Sequence, residues 1–205
     1  VTGVQTCALP ISCGEMACAL IDALGVAITP DIATHVYLAI LTDTGSFHFS
    51  HLSPLTYEIA RRCVEAGADP QWIARTHYDS NSLSRVRIFG AVMNGMVIVA
   101  EGRVALLAIT RTTMAELGGT SDDLEGLINF PLTVKDIEAV AFFKEVGDHD
   151  WRISLRSKGP VDIGVIARAN SGGGHTNAAG CSAKGDLEAL FRQFGASMAH
   201  AIRNK

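Results

Sequence analysis

No stretch of this sequence approaches the ~18–20 consecutive apolar residues that cross a bilayer as a helix. An excess of positive charge is also missing: 17 Lys and Arg stand against 21 Asp and Glu, a formal net charge of −4. That excludes a surface that coats long nucleic acid non-specifically, but not a small local site for a short anion. Paired-cysteine motifs do not occur. The five cysteines, Cys7, Cys13, Cys18, Cys63 and Cys181, are odd in number, irregularly spaced and form no C-x-x-C, which weighs against a zinc site or a disulfide framework. Reduced core thiols in a cytoplasmic protein are the expectation. There is no Walker loop, dinucleotide-binding glycine fingerprint or G-x-S-x-G nucleophile elbow, and no internal repeat. The opening VTGVQTCALPI has neither helix period nor strand alternation, and lacks the basic region and longer apolar run of a secretory leader.

What is present is a globular composition, 48% hydrophobic and 19% charged over 205 residues. The first part reads as helices with clear punctuation. Ser12 and Glu15 fit a capping box, Met16, Ala19, Leu20 and Ala23 share one face, and Gly25 ends the element. Thr29-Pro30, Ser53-Pro54 and Asp69-Pro70 each start a further helix. The polar THYDSNS, residues 76–82, reads as a linker. Beyond it SLSRVRIFGAVMNGM is helical, and MVIVAEGRVALLAIT is a hairpin turning at Glu101-Gly102. Two short helices follow, around TTMAELG and DDLEGLI. IEAVAFFKEV and WRISLRSK make a second hairpin across GDHD. VDIGVIARAN is helical until SGGGHTNAAG interrupts it, and a last amphipathic helix runs from Asp186 to about Arg203. The fold class is α/β.

Three stretches could carry chemistry. In SGGGHTNAAG three consecutive glycines are costly to order, and successive N–H groups there can form an anion-binding concavity beside His175; a flexible turn with a surface histidine is the plainer reading. On WRISLRSK, Trp151, Ile153 and Leu155 face one way while Arg152, Ser154, Arg156 and Lys158 face the other. That polar side is either a solvated sheet face or a basic stripe suited to phosphate. In LTDTGSFHFSH, Asp43 emerges from an apolar run near His48 and His51 and is either a metal ligand or a local cap. Asp148-His149-Asp150 reads as an ordinary polar turn.

Together these residues resemble the DHH phosphoesterase superfamily, in the NrnA-like branch of oligoribonucleases (nanoRNases) and phosphoadenosine phosphate phosphatases related to RecJ. LTDTGSF is similar to that family's last metal-binding motif, which implies that Asp43 is a manganese ligand. LRSKGPVDIGVIARANSGGGHTNAAG is similar to the signature of the DHH-associated C-terminal domain, which implies substrate binding by Arg156, Ser157, Gly172, Gly173, Gly174 and His175. The family's upstream ligands, including the Asp-His-His that names it, are not in this sequence. The organisation expected from the resemblance is a translated sequencing adapter at 1–11, the C-terminal part of a DHH catalytic domain at 12–75, a linker at 76–82 and a DHH-associated substrate-binding domain at 83–205. The implied activity is that of a manganese-dependent two-metal phosphoesterase acting on short RNA or a nucleotide phosphate such as phosphoadenosine phosphate, truncated here and short of most metal ligands. The implied full-length assembly is a homodimer without membrane association. The alternative is a nucleotide- or RNA-end-binding module without catalysis.

Overall fold

Serine, threonine, aspartate and proline set where the helices begin. The computed structural model describes residues 12–48 and 52–204, which form two compact units dividing between Ser80 and Asn81. The first unit holds α1 (Cys13–Ala23), α2 (Pro30–Asp43), α3 (Pro54–Glu65) and α4 (Pro70–Tyr78). Ser12, Thr29, Ser53 and Asp69 are the N-caps, and each side chain accepts an N–H from the first turn, satisfying donors that a helix start leaves orphaned. Proline fills the first position of α2, α3 and α4, where its missing N–H costs nothing. Residues 76–78, read as the start of a linker, are the last turn of α4. Val1–Ile11 and His51 lie outside the described residues, and so does Cys7.

The shared face of Met16, Ala19, Leu20 and Ala23 is exposed, Met16 at 53% and Leu20 at 60%. The buried side of α1 is Gly14, Glu15 and Cys18. A Cβ on Gly14 would lie 2.9 Å from the Val36 carbonyl oxygen, so glycine is what lets α1 approach α2. Close approach, rather than the number of apolar residues, selects the packed face. The buried Glu15 side chain accepts a hydrogen bond from Thr56 Oγ1 at 2.5 Å, as a buried polar group requires. Cys18 and Cys63 complete this core, and burial pushes the Cys63 thiol up to about 11. The core-thiol expectation holds for Cys18, Cys63 and Cys181; Cys13 is exposed.

The second unit is built on one six-stranded sheet of order β1-β2-β3-β4-β6-β5. After α5 (Leu83–Asn94), β1 (Val97–Val99) and β2 (Val104–Ile109) form the first hairpin. α6 (Arg111–Glu116) and two 3₁₀ segments, Asp122–Leu124 and Leu127–Thr133, carry the chain over to β3 (Ala139–Gly147), parallel to β2. β4 (Asp150–Ser157) returns antiparallel across a turn in which His149 has φ +51°. α7 (Gly164–Ala169), β5 (Gly173–His175), β6 (Ala178–Lys184) and α8 (Leu187–Arg203) follow. α7 and α8 cover one face of the sheet: Leu190, Phe194, Met198 and Ile202 pack on Phe143, Trp151, Ile153 and Leu155. α5 and the 3₁₀ segments cover the other face at β2 and β3, where Ile88, Val92, Leu127 and Ile128 meet Leu107, Val140 and Phe142. Among the described residues no helix is long and apolar enough to cross a membrane.

Candidate functional site

On the face that α5 covers at β2 and β3, the strands β4, β6 and β5 carry polar and small residues. Alternation along β4 buries Trp151, Ile153 and Leu155 and turns Arg152, Ser154 and Arg156 to the opposite face. Cross-strand register then sets the neighbours. Arg156 pairs with Ala178 of β6, which pairs with His175 of β5. Directly paired residues share a face, so Arg156 and His175 flank a single methyl group, two strand spacings or about 9.6 Å apart at Cα. The next row is Ser154, Gly180 and Gly173. The result is a shallow floor of small residues between an arginine and a histidine. Arg156 donates one N–H to the Leu155 carbonyl at 2.9 Å; its other donors and the His175 ring have no partner among the described residues.

Two of the three glycines belong to a strand rather than a loop. Gly173 and Gly174 enter β5 at the edge of the sheet, and the Gly172 N–H is held by the Ala167 carbonyl at 2.8 Å. The Gly172 N–H is thus already taken, and Gly173 and Gly174 present a strand edge where the sequence allowed either a concavity of N–H groups or a plain turn. Two of the glycines are there for close packing on β6. A Cβ on Gly172 would lie 2.1 Å from the Gly180 oxygen, and one on Gly174, at φ +140°, 2.5 Å from the Ala178 oxygen. Gly173 faces open space, so packing does not demand glycine there.

Ser157, expected beside Arg156 in substrate binding, lies on the other side of the strand and is buried. Its hydroxyl donates to the Val161 carbonyl at 2.6 Å and accepts from Asn177 Nδ2 at 2.9 Å. These bonds fasten the end of β4 to the β5–β6 turn, so Ser157 supports Arg156 and His175 from below. Lys144 of β3, directly opposite Arg152, was not legible in AFFKEV; only the strand register brings it beside this face.

Asp43 is the last residue of α2, and its Oδ2 accepts the Cys13 N–H at the start of α1 at 3.0 Å. The local-cap reading thus has its partner, although on a neighbouring helix. Among the described residues no three His, Cys, Asp or Glu side chains gather as a metal site. Asp148-His149 is the β3–β4 turn and Asp150 begins β4, 3.6 Å from Lys184. The Asp43 carboxylate holds the Cys13 thiol above its ordinary value, through a hydrogen bond first and charge second. Less thiolate is present at a given pH, so Asp43→Asn is expected to speed alkylation of Cys13 by iodoacetamide at pH 8. Peptide mapping of the alkylated protein reads the rate at Cys13 itself, and an unchanged rate would mean that the carboxylate does not sit there.

Residues 101–200 match the DHHA1 domain. The bifunctional oligoribonuclease and PAP phosphatase NrnA of Thermus thermophilus is 31% identical over 175 residues, covering 85% of this chain and 52% of the relative. NrnA of Bacillus subtilis is 30% identical, covering 72% and 46%. The chain thus spans about half the length of the curated relatives it matches. Among solved structures, an exopolyphosphatase-related protein from Bacteroides fragilis superposes with a TM-score of 0.82 at 29% identity, over 90% of this chain and 55% of that one.

Proposed function

From the DHHA1 match and the likeness to NrnA proteins, we propose that the chain is part of a DHH phosphoesterase and that its second unit holds the terminal phosphate of a short oligoribonucleotide or small nucleotide phosphate. The observation that carries this is the row Arg156–Ala178–His175. Arg156 offers a guanidinium fork to a phosphate, His175 offers a ring N–H from the far side, and Ala178, Gly180 and Gly173 leave room for the sugar. A charge-assisted hydrogen bond contributes about 1.5–3 kcal/mol. Two or three of them, less the cost of association, put the affinity in roughly the micromolar-to-millimolar range.

The test is calorimetric titration of the 205-residue chain with a 5′-phosphorylated diribonucleotide and with its unphosphorylated counterpart. Binding at least about tenfold tighter with the phosphate is expected. Equal affinity for the two would overturn the proposal.

Manganese, which the family likeness implies, is served by a poor donor set among the described residues. A pair of hard divalent ions needs several carboxylates and imidazoles. Asp43 is one carboxylate, already holding a helix N-terminus, and no ligand group forms around it among the described residues. These residues do not fit a two-metal centre. In the proposed division of labour, the second unit positions the phosphoester and the hydrolytic metals depend on groups other than those described. The expected outcome is that this chain, given manganese and a short RNA, binds without turnover. Hydrolysis that disappears in Asp43→Ala would show instead that a competent centre forms.

A further inference from the structure

Four residues before Arg156 on the same face of β4 stands Arg152, paired directly with Lys144 of β3 on one side and Ser182 of β6 on the other. Like charges placed directly opposite across two strands repel and cost stability. Lys144 Nζ donates to Ser121 Oγ at 2.7 Å, but neither cation has an acidic partner among the described residues. Elsewhere this unit does pair its cations with acids: Arg103 with Glu138 at 2.8 Å just before β2 and β3, and Lys184 with Asp150 at 3.6 Å across β6 and β4. The unneutralised pair is therefore particular to this face. A cleft of about 460 Å³ opens beside it, lined by Arg152, Ser154, Gly172, Gly173, Gly180 and Ser182. Ser154, Gly180 and Gly173 form the row between Arg152 and Arg156, so the floor is continuous from one cationic end to the other.

We infer that Lys144, Arg152 and Ser182 form a second phosphate subsite, which takes an internal phosphodiester of an oligoribonucleotide whose terminal phosphate lies at Arg156 and His175. The inference rests on the reading of the Arg156 site given above and adds a length preference to it. Four strand residues span about 13 Å. A stacked strand advances about 3.4 Å per nucleotide, and an extended one roughly twice that, so one nucleoside bisphosphate cannot reach from one cationic end to the other. Three linked nucleotides can. The serine hydroxyls and the small floor accept ribose without selecting a base, and Arg152 and Lys144 read only charge. The subsite thus separates short RNA from phosphoadenosine phosphate by reach.

The experiment titrates the 205-residue chain with a 5′-phosphorylated triribonucleotide and with adenosine 3′,5′-bisphosphate. Arg152→Ala is expected to weaken the trinucleotide about tenfold and the bisphosphate less than twofold, with no loss of melting temperature, because Arg152 is exposed and its removal relieves the repulsion with Lys144. It should also reduce the slope of log affinity against log salt for the trinucleotide by about 0.7. Arg152→Lys should keep most of the binding. Arg156→Ala is the control and should weaken both ligands. If Arg156→Ala weakens both while Arg152→Ala weakens neither, or weakens both equally, the second subsite is overturned and the terminal-phosphate reading stands. If Arg156→Ala weakens neither ligand, the terminal-phosphate reading is overturned, and with it the two-site arrangement.

Discussion

Gly172→Ala is expected to lower the melting temperature by about 10 °C, while Gly173→Ala, one residue on, leaves it within about 2 °C. The contrast follows from what each Cβ meets. At Gly172 the new methyl would sit 2.1 Å from the Gly180 carbonyl oxygen and 2.7 Å from the Cys181 Cα. Both are backbone atoms of β6, so no side-chain rotation relieves the clash, and β5 must move off β6. Overpacking of this kind costs about 3 kcal/mol. At Gly173 nothing lies within 4 Å, and alanine reduces the freedom that the unfolded chain loses on folding. That methyl does enter the floor between Arg156 and Arg152, so Gly173→Ala should weaken nucleotide binding severalfold while staying folded. Thermal melts and titrations of the two variants check both halves. Equal melting temperatures would mean that β5 does not lie against β6 as described.

Arg156→Ala is expected to lower affinity for a phosphorylated di- or triribonucleotide by roughly 10- to 100-fold, the loss of one or two charge-assisted hydrogen bonds, with little change in stability. Leu155→Ala should do the reverse. Leu155 is fully buried between β4 and the helices α7 and α8, and emptying such a site costs about 2–5 kcal/mol. Its melting temperature should drop by about 10 °C or more, with affinity in the folded fraction nearly intact. Neighbouring residues on one strand thus separate binding from stability. An Arg156→Ala protein that is folded and binds like the parent would reduce the basic stripe to a solvated sheet face.

Much of the fold was legible because its signals are local. Ser53-Pro54 and Asp69-Pro70 begin helices where cap chemistry demands, and alternation along WRISLRSK sorts its core face from its polar face. The triple glycine shows where such reasoning fails. Gly172 and Gly174 look like a loop because no side chain marks a strand, and only the approach of β6 explains them. Ser157 shows another failure: its neighbour Arg156 faces the site, but the two-residue period of the strand turns Ser157 into the core.

The sequence by itself determined the helix starts, the two-faced β4, the placement of Arg156 and Arg152 on one side of it, and the DHH likeness carried by SLRSK and GGGH. Each depends on residues within a few positions of one another, where backbone geometry sets the period. The tertiary structure alone decided that β2 and β3 run parallel, that His175 shares a row with Arg156 across Ala178, and that Lys144 stands opposite Arg152. It also decided that Asp43 holds the Cys13 N–H, 30 residues away in sequence. Register between strands and the approach of one helix to another are fixed by burial and steric fit over the whole unit, and no local pattern encodes them.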